Sequence, residues 1–184
     1  RLVSPYTQQE TSADYLLPLF RLYWEREQQG LTGYCQCHDL YDGVLHARFA
    51  PQGGGSVAVT GWFDAVNKDL AGFLIETDET GADDRLCLSV LTPFNPWPFL
   101  CREEFEQTVT VEQTEVGHKL TVTCEAAVNR PQTEIHIVTD MAVETHKTGL
   151  YLCPRAGVNR LLIGVGAPVT ETAEQSLQRT KEQN

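Results

Sequence analysis

The segment GYCQCHDLYDG, residues 33–43, gathers residue types that do chemistry: Cys35 and Cys37 one residue apart, followed at once by His38, Asp39 and Asp42. Thiolates and imidazoles so spaced can ligate a metal, cycle between dithiol and disulfide, or anchor two separate bridges. In an extended segment Cys35 and Cys37 point to one face, and Gln36 and His38 to the other. A bridge between the two cysteines would close a very small, strained ring, so each is expected to meet a different distant partner. Metal binding through Cys35, Cys37 and His38 would need reduced thiolates, which an extracellular protein seldom keeps. No metal site and no cofactor are therefore expected.

The other cysteines are Cys87, Cys101, Cys124 and Cys153, and no C-x-x-C pair occurs among the six. An even count without zinc-type spacing predicts three disulfides and a secreted or extracellular location. The chain opens on Arg1, which fits a processed protein or a cut fragment. None of the five asparagines sits in an N-x-[ST] sequon, so glycosylation adds no support for secretion.

Three other segments carry residues of unusual chemistry. GGGS at 53–56 lacks the lysine and following helix of a phosphate loop and reads as a hairpin tip. DETGADD at 78–84 does not match the EF-hand spacing and reads as a solvated acidic turn. LTPFNPWPFLC at 91–101 carries three prolines, which rules out a central strand. An irregular loop presenting Phe94, Trp97 and Phe99 is expected there, either as a binding surface or as a plug locked by Cys101. The five histidines show no ligand pair at i+2 or i+4, and no G-x-S-x-G, H-E-x-x-H, P-loop or G-x-G-x-x-G occurs. No catalytic residue and no enzyme activity are expected.

The elements that must position these residues read as mostly strands. Residues 1–10 are a polar arm, 11–169 one β-rich domain, and 170–184 a polar Gln/Glu-rich tail that frays or forms a loosely held helix. Thr11 and Asp14 form a capping box, and Leu16, Leu19, Phe20 and Tyr23 follow at helical spacing. They predict one N-terminal amphipathic helix near 12–29, with Pro18 as a kink and Gly30 as the stop. From Val44 onward the period changes to two. The pair 105–113 and 118–128 is clearest, with Phe105, Val109, Val111, Leu120 and Val122 on a core face and threonines and glutamates on a wet one. Short links with turn residues leave no room for helical crossovers, which excludes a doubly wound α/β fold.

The expected fold class is mainly β: an antiparallel meander of about eight to nine strands, closed as a barrel or packed as a sandwich. LTVTC at 120–124 and GLYLC at 149–153, with Tyr151 two residues before Cys153, resemble the two cysteine strands of an immunoglobulin domain. Their separation is shorter than in that family and no tryptophan lies between them, so the family is not assigned.

No stretch approaches ~20 apolar residues, so no membrane insertion is expected. A formal net charge of −11 disfavours nucleic acid and anionic membranes, because both need a basic face. The functional expectation is a secreted, disulfide-stabilised, non-catalytic binding protein. It would carry a small apolar ligand in a lipocalin-like barrel, although the lipocalin G-x-W signature is not found and TGWF at 60–63 only echoes it; Trp62 joins Phe94, Trp97 and Phe99 as candidate binding residues. The alternative is an ectodomain that docks a basic protein through its acidic surface and the 94–101 loop.

Overall fold

The structure, a computed structural model, describes residues 3–4, 17–18, 20–25, 31–51, 55–78, 84–90, 107–124 and 132–183. The strands are β1 (Val3–Ser4), β2 (Leu17–Pro18), β3 (Phe20–Glu25), β4 (Leu31–Asp39), β5 (Val44–Pro51), β6 (Val57–Phe63) and β7 (Leu70–Thr77). They continue as β8 (Arg85–Val90), β9 (Gln107–Thr114), β10 (Gly117–Cys124), β11 (Gln132–Thr139), β12 (Ala142–His146), β13 (Gly149–Cys153) and β14 (Gly157–Val165). One helix, α1 (Ala173–Gln183), closes the described chain.

An eight-stranded sheet runs β4-β5-β6-β7-β14-β11-β10-β9 and a four-stranded sheet runs β12-β13-β8-β3, every pairing antiparallel; β1 and β2 pair separately. The large sheet ends at β4 and β9, which do not pair with each other, so the barrel alternative gives way to a sandwich. The chain is also not a simple meander. It crosses to the small sheet at β8 and again at β12, then returns with β14 into the gap between β7 and β11.

Period-two alternation builds the core between the sheets. Leu120, Val122, Ile135, Ile137, Leu161, Ile163 and Ile75 from the large sheet meet Leu86, Leu88, Val90, Leu150 and Leu152 from the small one, all buried. On the large sheet's other face, β9, β10 and β11 carry an ion-paired cluster, in which Lys119 sits 2.9 Å from Glu112 and 3.7 Å from Glu134.

The predicted N-terminal helix is corrected. Residues 20–25 form β3, because Phe20, Leu22 and Trp24 alternate onto the core while Arg21 and Tyr23 face away, Arg21 lying 5.1 Å over the Tyr23 ring. The spacing Leu16, Leu19, Phe20, Tyr23 matched a helix over too few positions to outweigh that alternation, and Pro18 lies in β2. The part of the predicted helix before residue 17, the polar arm apart from β1, and the segments 79–83, 91–106 and 125–131 fall outside the described residues.

The helix lies instead in the segment read as a polar tail. Thr172 caps it: its Oγ1 accepts from the Gln175 amide (3.2 Å) while Gln175 Oε1 accepts from the Thr172 amide (2.9 Å), a reciprocal capping box. Ala173, Ser176, Leu177 and Thr180 turn a small-residue face onto the outside of the large sheet, where Val44, Trp62, Leu70, Leu162 and Val169 form a second apolar cluster.

The helix is held by a buried carboxylate. Asp64, in the β6–β7 turn, accepts from the amides of Val66 (2.9 Å) and Asn67 (2.8 Å), from Ser176 Oγ (2.7 Å) and from Arg179. Ser176 Oγ in turn accepts from Trp62 Nε1 at 2.9 Å, and Arg179 is shared with Glu171. Burial works against the Asp64 charge, but Arg179, the Asn67 amide, Ser176 and the Val66 amide outweigh it and bring its pKa down to about 2.

Two predictions follow from this packing. A β-carbon at Gly72 would lie 2.2 Å from Trp62 Cζ2, whereas one at Gly61 would lie 3.3 Å from the Phe73 ring. Gly72→Ala is expected to lower the unfolding free energy in urea by about 1–3 kcal/mol, and Gly61→Ala by less. The folded pKa of Asp64 lies below its ordinary value, so its stabilisation is complete above roughly pH 5 and is lost as pH falls through about 4 to 2. Acid unfolding should show a loss on the order of 2 kcal/mol in that window, absent in Asp64→Asn.

Candidate functional site

The opening motif becomes β4, at one edge of the large sheet. A register shift between Thr32 and Cys35, with Gly33 at φ 63°, sets the strand's phase. From Cys35 to Asp39 the pairing with β5 is regular. The β4–β5 turn is fixed by Asp39 Oδ1, which accepts from the amides of Tyr41 (3.0 Å) and Asp42 (3.1 Å), and by Gly43 at φ 66°. Asp39 is thus a turn residue, and Leu40 and Tyr41 stand exposed at the tip.

This register lines up two rows on the outward face. Cys37 pairs with His46, which pairs with Thr60; Cys35 pairs with Arg48, Arg48 with Ala58, and Ala58 with Glu76. The rows line a groove of about 510 Å³ bounded by Cys35, Cys37, His46, Arg48, Thr60 and Glu76. His46 Nδ1 lies 3.2 Å from Thr60 Oγ1, which sets the plane of the ring. His38, beside the cysteines in sequence, pairs with Leu45 and belongs to the opposite face.

A second thiol–imidazole pair lies in the small sheet. Cys87 is buried, with Sγ 3.4 Å from His146 Nε2, and the Thr148 amide donates to His146 Nδ1 at 3.3 Å. Because Nδ1 accepts, a neutral ring carries its proton on Nε2, aimed at the sulfur. His146 in that tautomer is a donor to Cys87 and not a base able to take its proton. Around the pair, the His146 and Tyr151 rings stack at 4.5 Å and the Arg85 guanidinium lies 4.0 Å over Tyr151. Burial, with the Glu144 carboxylate adding to it and Arg85 opposing, pushes the Cys153 thiol up and keeps it protonated at neutral pH.

Cys35, Cys37, Cys87 and Cys153 are all thiols, so the expected disulfides are corrected for the four cysteines that can be placed; Cys101 and the side chain of Cys124 lie outside the described residues. A Cys124–Cys153 bridge of the immunoglobulin kind is thereby excluded. Among the candidate binding residues, Trp62 is buried beneath α1 and bonded to Ser176. Phe94, Trp97 and Phe99 lie outside the described residues, as does most of the acidic turn at 78–84. Sequence reasoning missed Arg48 and the pairing of His46 with Cys37. The signal was the turn LYDG, which fixes which residues of the two strands face each other.

No family model and no curated protein matches the chain. Among solved structures it is similar to a "Putative kojibiose phosphorylase from human microbiome", with a TM-score of 0.58 and 12% identity. The match covers 92% of this chain and 26% of that one, so the chain spans about a quarter of that protein's length. At this identity the likeness is one of fold. The disulfide-stabilised binding protein expected from the sequence is corrected: the four cysteines that can be placed are unbridged, and the open two-sheet fold is not a lipocalin-like barrel. A similar fold occurs within a protein whose description is that of a sugar phosphorylase, not of a ligand carrier or an ectodomain.

Exposure separates the thiols, Cys35 and Cys37 being exposed and Cys87 buried. Iodoacetamide on the native reduced protein should alkylate Cys35 and Cys37 first, with Cys87 modified only on unfolding. Peptide mass spectrometry checks the order, and early labelling of Cys87 would contradict the burial described.

Proposed function

We propose that this chain is the β-sandwich domain of a carbohydrate-processing protein, where it serves as a rigid unit beside the part that performs the reaction. The observation that carries the reading is the likeness over 92% of the chain to one segment, about a quarter, of a protein described as a kojibiose phosphorylase. Local chemistry agrees with a scaffold role. Arg160 bridges Asp140 at 3.1 Å and also pairs with Glu174 at the start of α1, while Arg179 joins Asp64 and Glu171. These charges are spent on fixing the helix and turns. Cys87 and His146, 3.4 Å apart, lie in the small sheet with the thiol buried. The expectation of an oxidising compartment loses its main argument with the disulfides, since unbridged thiols suit reducing surroundings equally well.

The test is immunocapture from the source organism with an antibody raised to these 184 residues. The expected catch is a polypeptide several times longer that cleaves α-glucosides by phosphorolysis or hydrolysis, while the isolated chain does neither. Capture of a polypeptide no longer than this chain, or sugar cleavage by the isolated chain that Cys87→Ser removes, would contradict the proposal.

A further inference from the structure

We propose that Cys35, Cys37 and His46 form a binding site for a soft, low-coordinate metal cation of the Cu(I) type on the outer face of the large sheet. The proposal is independent of the domain's role in a larger protein.

Three observations carry it. First, both cysteines are exposed thiols on the same face of β4, two residues apart. Second, the pairing of β4 with β5 sets His46 directly opposite Cys37, and Cys35 opposite Arg48. Third, these side chains line one open groove, and the Thr60 hydroxyl contacts His46 Nδ1, leaving Nε2 as the ring nitrogen available to a metal.

Reach follows from strand geometry. Residues i and i+2 of a strand lie about 6.7 Å apart, and directly opposed β-carbons about 5 Å. Metal–sulfur bonds of about 2.3 Å and metal–nitrogen bonds of about 2.0 Å span those gaps when the two Sγ atoms rotate inward. Among the described residues no three such side chains already converge on a point, so binding requires that rotation. Exposed side chains make it at little cost.

Ligand chemistry selects the cation. Two thiolates and one imidazole form a soft, three-donor set, which suits Cu(I) and offers nothing to calcium or magnesium. Two thiol protons leave as the metal binds, and the bound unit carries one net negative charge. Arg48, opposite Cys35, lies where its guanidinium can offset that charge.

The experiment is an anaerobic titration of the full reduced chain with Cu(I) against a competing Cu(I) chelator. It reads stoichiometry, affinity and the thiolate-to-copper charge-transfer absorbance. The expected result is one tight equivalent that shields Cys35 and Cys37 from alkylation. The double variant Cys35→Ser/Cys37→Ser should weaken that equivalent by on the order of 100-fold, His46→Gln by about tenfold, and Cys153→Ser not at all. Far-UV circular dichroism should be unchanged in all three, because Cys35, Cys37 and His46 are exposed and Cys153 is only partly covered. Wild-type affinity in the double variant, or copper-shielding that falls on other cysteines, would overturn the proposal.

Discussion

The position of α1 depends on one buried carboxylate. Asp64 shapes the β6–β7 turn through two backbone amides, receives Ser176 and Arg179 from the helix, and through Ser176 is linked to Trp62. A buried charge is tolerated only when its lone pairs are satisfied, and here turn and helix supply the donors together. The helix, weakly apolar in sequence, thereby acquires a specified seat. Beneath it Trp62, Leu70, Leu162 and Val44 are removed from water, giving the large sheet an apolar layer on its outer face as well as its inner one.

That arrangement divides the outer face. Over β6, β7 and β14 it is covered by α1, whose main contacts are with those three strands. Toward the β4 edge it is open, and the cysteine, histidine and arginine rows lie there. On the other flank, β9, β10 and β11 carry the Lys119, Glu112 and Glu134 pairs, with His136 Nε2 3.4 Å from Glu134 Oε2. One sheet thus has a covered strip between a thiol-bearing groove and an ion-paired flank. The inner face carries the apolar core and meets the small sheet.

Much of the sheet was legible because alternation is a local signal. The strands from Val57 to Val90 and from Val109 to Val165 follow parity that can be read residue by residue. The N-terminal segment was misread because four apolar residues satisfy a helix over two turns, and only the presence of a core tells that Phe20, Leu22 and Trp24 are the buried set. The C-terminal helix was undervalued because its buried face consists of Ala173, Ser176 and Thr180, which no hydrophobic pattern reports. Its T-x-x-Q cap was the available clue. For the site, the shared face of Cys35 and Cys37 was visible in the spacing. The partnership of Cys37 with His46 was not, because it depends on register across a turn, and the same register sends the adjacent His38 to the other side.

Amide hydrogen exchange of α1 tests the central claim that Asp64 seats this helix. The account predicts that amides in the helix interior exchange in the native protein as slowly as those of β6 and β7, and that Asp64→Asn releases the helix amides while the two-sheet core stays protected. Rapid exchange of α1 in the unaltered protein, or equal protection with and without the Asp64 carboxylate, would contradict it.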